Sequence, residues 1–222
     1  MECVMGLARS TDMPYALDMA ISNEFTKIGK AVQALRARGI DAEAVPTPES
    51  ALRRLHELMP PGGKVMTGAS ATLREIGLEA ELASGANSWV WLRSAIMAED
   101  DPVKRRQLRG QALLADFFLC SVQAVTETGQ IVLASGSGSQ LASSAYSSPN
   151  VVWVVGAQKI VPTLDDALRR IREVCVPKVA DMAEGMGKPE LGVLAKVLIV
   201  EKEMAYTDRK IHLIFVEQSL GF

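Results

Sequence analysis

Val151-Val152-Trp153-Val154-Val155 is a nearly pure run of β-branched side chains. A strand with one wet face alternates polar and apolar residues; a run without alternation is buried on both faces, as in a parallel sheet. Asp165 to Val174 follows with helical spacing, and strand followed by helix is the repeating unit of such a sheet. Working upstream, Ile131 to Ala134 and Phe117 to Val125 read as strands, and Pro102 to Leu114 as a helix with many exposed bases. Ser88 to Leu92 reads as extended and Thr72 to Leu82 as helical. Lys64-Val65-Met66 opens a strand after the Pro60-Pro61-Gly62-Gly63 turn. Before that, Thr47 caps a helix with Pro48 at its first position and Ser50 to Met59 in its body. Asp41 to Val45 is a short strand, and Phe25, Ile28, Val32 and Leu35 recur at helical spacing until Gly39 stops the helix. Downstream, Val197 to Val200 and Ile211 to Val216, joined by a polar turn at Thr207-Asp208-Arg209, predict an antiparallel hairpin closing the sheet. Residues 1–19, with Pro14 and no clear period, predict an N-terminal arm; 20–222 predict a single domain. The fold class is α/β, a sandwich around a largely parallel sheet.

Composition narrows the function. Twenty-four Lys and Arg against 26 Asp and Glu leave a net charge of −2, so no bulk field attracts nucleic acid or an anionic membrane. At 48% hydrophobic and 23% charged residues the chain is neither disordered nor fibrous. Cys3, Cys120 and Cys175 are scattered without CxxC spacing, which argues against an iron–sulfur cluster, a structural zinc and a disulfide framework. No apolar run is long enough to span a bilayer, and the N-terminal stretch lacks the apolar core of a secretion signal. The expectation is a soluble cytoplasmic protein. His56-Glu57 lacks the second histidine of a zinc-protease helix, and no phosphate-binding P-loop exists. Gly136-Ser137-Gly138-Ser139 misses the third glycine of a dinucleotide fingerprint. With two histidines in the chain, no metal or cofactor site is expected.

Four stretches could carry chemistry. Gly68-Ala69-Ser70-Ala71-Thr72 joins a strand to a helix; bare amides there favour an anion, and Ser70 and Thr72 add hydroxyls, although Ser70 or Thr72 could equally be an ordinary helix cap. Glu127-Thr128-Gly129 lies between two apolar strands, either as the polar tip of a hairpin or with Glu127 as base or nucleophile. Ser135-Gly136-Ser137-Gly138-Ser139-Gln140 has linker composition, yet sits between core strands, where open α/β folds bind ligands. Lys159 follows the Val-rich strand, as a solvated turn residue or as a side chain reaching the same sheet end. His212 reads as a satisfied, half-buried histidine, Cys120 as inert core, and Trp89 and Trp91 as packing or a subunit surface.

The stretch Ala115-Asp116-Phe117-Phe118-Leu119-Cys120-Ser121-Val122-Gln123-Ala124-Val125-Thr126-Glu127-Thr128-Gly129 resembles the core of the LUD-domain family, named for lactate utilisation. So do Val154-Val155-Gly156-Ala157-Gln158-Lys159-Ile160-Val161 and Leu164-Asp165-Asp166-Ala167-Leu168-Arg169-Arg170-Ile171-Arg172. Gly68 to Leu78 is similar to the family's Gly-rich βα turn, and the likeness covers roughly Ile21 to Pro177. The resemblance implies a three-layer fold related to sugar-phosphate isomerases and coenzyme A transferases. In those relatives the first Gly/Ser/Thr turn holds an anion, and in coenzyme A transferases a glutamate is the nucleophile. Carried over, Gly68, Ser70 and Thr72 cradle an anion and Glu127 is the candidate carboxylate. Many family members have Asp-Gly-Thr-Gly-Asn-Arg where this chain has Ser135 to Gln140, so a guanidinium clamp is missing from that loop. The cysteine-rich module of the larger lactate-utilisation members is missing too, which makes this a short form.

Three functions follow as expectations. One is a LUD-domain protein serving oxidation of lactate or a similar small organic acid, binding the anion at the sheet end and working with separate iron–sulfur redox subunits. Another is a free-standing transferase or isomerase acting on an acyl-coenzyme A or sugar phosphate through Glu127. The last is a non-catalytic binding or assembly subunit. A homodimer is compatible with each.

Overall fold

A computed structural model describes residues 26–222. The expected N-terminal arm and Phe25 lie outside the described residues. The Val-rich run is strand β7 (Asn150–Gly156), fully buried beyond its first residue. It lies between β10 (Lys210–Val216) and β4 (Phe117–Cys120), parallel to both. With β1 (Asp41–Val45), β2 (Lys64–Thr67) and β3 (Val90–Trp91) these form a six-stranded parallel sheet, ordered β1-β10-β7-β4-β2-β3. The pleat sends alternate side chains to opposite faces. Phe118, Trp153 and Phe215 pack beneath a helix over 26–37 (α1), together with Ile28 and Leu35. Leu119, Val152, Val154 and Ile214 pack on the other face against α2 (Pro48–Leu58), α3 (Ala71–Glu75) and α4 (Leu78–Ser84). Thr47 caps α2 by accepting from the Ser50 amide, with Pro48 in the first turn.

A second sheet covers the α1 side. Its strands are β5 (Ala124–Thr126), β6 (Ile131–Ser135), β8 (Ile160–Val161) and β9 (Lys196–Val200), in the order β8-β5-β6-β9. The connections are α5 (Leu92–Ala98), α6 (Pro102–Ala112), α7 (Ser139–Ala142), α8 (Leu164–Arg170) and α9 (Val176–Gly185). A π-helical turn at Ile171–Cys175 joins the last two. Ala167 and Ile171 pack against Ala124 and Val132 and seal the outer face of the small sheet.

The expected antiparallel hairpin does not form. β10 enters the middle of the large sheet parallel to β1 and β7, whereas β9 pairs antiparallel with β6 at an edge of the small one. Burial demand explains the split. Ile211 to Val216 is buried on both faces and needs a strand on each side, while Lys196 to Val200 keeps exposed positions that suit an edge. The expected strand Phe117 to Val125 also divides, because Ser121-Val122-Gln123 carries the chain from one sheet to the other. The helix expected over Thr72 to Leu82 breaks at Gly77, whose φ of 85° is left-handed.

Candidate functional site

Because β2, β4 and β7 run parallel, their C-terminal ends share one rim, and β6 returns to it from the small sheet. At this rim Gly68 follows β2 and donates its amide to Leu119 O at 2.8 Å. A side chain there would collide with Cys120 Sγ and lie 2.9 Å from Gln140 Oε1, so glycine lets the turn tuck against β4 and the Gln140 loop. Ser70 is spent as the cap of α3, accepting from Leu73 N at 3.2 Å. Thr72 points into the core, 1% exposed.

Thr72 and Ser121 hold Lys159. Its ammonium donates to Thr72 Oγ1 at 2.9 Å and to Ser121 Oγ at 3.0 Å, and the residue is only 2% exposed. Burial, with the charge of Arg170 second, pulls its pKa down to about 8. Leu220 and Gly221 close over the cluster: Thr72 Oγ1 lies 3.4 Å from Leu220 O, and Gly221 donates to Glu75 at 2.7 Å. Lys159 is thus not a solvated turn residue: it lies sealed beneath the rim. Cys120 is core as expected, its thiol pushed up to about 11 by burial.

Above this floor is a cavity of about 660 Å³. Gly68, Ala69, Ser135, Gly136, Ser137, Ser139 and Gln140 line it. The Ser135 loop is braced internally: Ser135 Oγ accepts from Gly138 N at 2.9 Å, and Ser137 and Ser139 hydroxyls are 3.0 Å apart. Gly138, left-handed at φ 85°, turns away onto the stem of Lys196. Gln140 bridges β6 and β4, donating to Ala134 O and accepting from Cys120 Sγ. Arg93 of α5, Arg109 of α6 and Glu190 also line the cavity. Glu79 meets Arg93 only loosely, at 3.7 Å, and Arg109 is exposed with no ion pair among the described residues. Ser143, 1% exposed, also lines the cavity, and its buried hydroxyl oxygen has no partner among the described residues.

The expected residues therefore divide. Gly68, Gly136, Ser137, Ser139 and Gln140 line one cavity, with Ser70, Thr72 and Lys159 packed around and beneath it. Glu127, Thr128 and Gly129 are not brought there. They form the opposite tip of the β5–β6 hairpin, the length of a five-residue strand away, about 17 Å. Glu127 is tied by its amide to Val161 O, Thr128 O accepts from Arg38 Nε at 2.8 Å, and Gly129 abuts the backbone of Ala34. Arg93, Arg109 and Ser143 are the residues that the sequence did not place. The signal for Arg109 was the excess of bases on the Pro102 helix; nothing in the sequence linked Arg93 to the Ser135 loop. The loop itself has no guanidinium, and the cavity it lines receives Arg93 and Arg109 from two helices.

The tryptophans pack internally. Trp89 stacks on His56 with ring centroids 4.6 Å apart, and Trp91 Nε1 donates to Thr67 Oγ1 at 3.0 Å. His212, 8% exposed, sits between Glu43 and Asp41. Burial raises the Glu43 carboxyl, but hydrogen bonds from Arg54 and His212 outweigh it and leave the pKa lowered. Among the described residues no group of three or more His, Cys, Asp or Glu is placed to hold a metal ion. None of their helices is long and apolar enough to cross a membrane.

A parallel α/β sheet with a cavity at the C-terminal ends of its strands defines the class: an open α/β domain with a cavity at the rim where such folds bind ligands. The chain belongs to the LUD-domain family, whose model matches residues 28–188. Its fold is similar to the crystal structure of a DUF162 family protein from Deinococcus radiodurans. That likeness has a TM-score of 0.51 at 12% identity and covers 88% of this chain and 98% of the other. A search of curated proteins finds no match.

Proposed function

We propose that this LUD-domain protein binds the carboxylate of a small organic acid of the lactate type and serves the utilisation of that acid. The observation that supports this most is the pairing of Arg93 and Arg109 with the short Gly68 and Ser135–Ser139 turns across one cavity. A guanidinium offers two parallel N–H donors to a carboxylate, and small side chains opposite let backbone amides and hydroxyls approach the remaining oxygen or the 2-hydroxyl. Ser143, with an unused buried hydroxyl, adds a further polar contact. The acid is held and oriented here, while electrons leave through separate redox subunits that supply the cofactor. The distance of Glu127 from the cavity takes away the nucleophile that the transferase reading needs.

Calorimetric titration with lactate, pyruvate and a phosphorylated acid tests this directly. Lactate or pyruvate is expected to bind, and Arg93→Ala and Arg109→Ala are each expected to weaken it by about 10- to 100-fold, the range for a hydrogen bond to a charged group. Absence of binding by any of these acids, or equal binding to the double variant, would refute the assignment.

A further inference from the structure

The arginine cavity, whose wall also carries Met66, Ile96, Met97 and Phe118, adjoins a second one of about 300 Å³ with fewer charged side chains. Val176, Val179 and Met182 of α9 line it, together with Met186 just beyond the helix, Leu194 and Phe222. Arg74 is the one charged side chain on its wall among the described residues. Four large apolar side chains at its mouth are left in water: Met182 is 43% exposed, Met186 60%, Leu191 53% and Val193 59%. Soluble proteins rarely gather so much exposed apolar surface at one place without a ligand or partner to cover it. The two cavities share Ala69, Ser135, Gly136, Gln140, Leu191 and Val193. Ala69 and Gly136 are among the smallest residues on the rim. At Gly136 an added Cβ would lie 3.1 Å from Val193 O and 3.8 Å from Leu191 O, so this loop packs closely on the 191–193 segment where the two spaces meet.

We infer that the acid bound here is amphipathic: its carboxylate is held by Arg93 and Arg109, and an unbranched apolar chain runs along the wall that the two cavities share into the one under α9. This rests on the carboxylate assignment above and deepens it from any small acid to a straight-chain monocarboxylate. Lactate then fills only the polar half. The charge distribution selects the orientation, because Arg93 and Arg109 both line the large cavity, whereas the small one has Arg74 alone among the described residues and is otherwise lined by uncharged side chains. A chain in the small cavity covers the four exposed apolar residues and releases the water over them, the usual source of affinity for an alkyl tail.

The test is calorimetric titration of the full chain with acetate, butanoate, hexanoate and octanoate, alongside adipate, and of the Met182→Glu and Arg93→Ala variants. Met182 is exposed on α9, so its replacement leaves the core intact. Affinity is expected to rise roughly fourfold per methylene, the equivalent of about 0.8 kcal/mol, until the cavity is full. Met182→Glu should flatten that series, and Arg93→Ala should lower every member by a similar factor. A flat series alongside measurable lactate binding overturns the tail site and leaves the carboxylate assignment standing. Tighter binding of adipate than hexanoate overturns it as well, since Arg74 would then anchor a second carboxylate. Octanoate binding that ignores Arg93→Ala overturns the orientation. Failure of every acid, lactate included, removes the carboxylate assignment itself.

Discussion

At one end of β6 the chain passes through Glu127-Thr128-Gly129, and at the other through Ser135-Gly136-Ser137. Both are short polar turns containing glycine, and by composition either could face a ligand. Their surroundings set them apart. At the first, the carbonyl of Thr128 is bonded to Arg38 and Gly129 lies against the backbone of Ala34, so α1 occupies the space a ligand would need. At the second, Gly136 meets the backbone of Leu191 and Val193, yet Ser135, Gly136 and Ser137 still line a cavity whose wall also carries Arg93 and Arg109. A bare turn becomes a binding site only when the fold withholds a neighbour from it.

The largest effect expected from this contrast is at Gly129. Its φ of 89° is left-handed, and a Cβ would stand 2.8 Å from the Ala34 carbonyl carbon. Left-handed strain of about 1–2 kcal/mol adds to overpacking of about 1–3 kcal/mol. Gly129→Val should therefore lose about 4 kcal/mol in urea unfolding. A variant as stable as the parent would mean that the hairpin tip is not held by α1, and the difference between the two ends would go with it.

At the cavity end the rim rests on Lys159. Its pKa falls from 10.5 to about 8 on burial, so between those values the unfolded chain holds a proton that the folded one lacks. The sign follows: stability contributed by this group rises as pH increases through that window, and below about pH 8 the cost of burying the charge is felt in full. The shift corresponds to about 3 kcal/mol. Denaturation of the parent and Lys159→Met across that window should show the parent gaining on the variant as pH rises. Parallel curves would mean that Lys159 is solvated and that the rim has no buried amine beneath it.

Much of the fold was legible because burial leaves a pattern in one dimension. Val151 to Val155 announces a central strand, and Thr47-Pro48 a helix start, from local composition alone. Ile211 to Val216 carries the same continuous apolar signature as β7, and its neighbour β9 does not; the hairpin expectation followed proximity in the chain and missed that difference in burial. The site was legible by halves. Gly68 and the Ser135 loop stand at strand ends, where periodicity locates them. Arg93 and Arg109 reach the same cavity only through the packing of α5 and α6 over the sheet, a three-dimensional fact with no local pattern. Glu127 failed for the complementary reason. Its turn has the composition of a site, and only the packing of α1 shows that the space beside it is filled.

The smallest effect expected is at Glu127, and it bears most directly on the contrast. Glu127→Gln keeps the shape of the side chain and removes its charge, and the amide that bonds Val161 O is unchanged by the substitution. With the side chain half-buried at the hairpin tip, stability should stay within about 0.5 kcal/mol of the parent. Acid affinity should stay within about twofold, since about 17 Å exceeds the Debye length of about 8 Å at physiological ionic strength, and the intervening charge is screened. A loss of binding comparable to that of Arg93→Ala would require the hairpin tip to reach the ligand, and hence α1 to leave its seat on Gly129. The same displacement would then have to appear as weakened protection of the Gly129 amide from hydrogen exchange when the acid binds. Unchanged protection together with unchanged affinity would leave the carboxylate site where the two arginines stand, at the other end of the strand.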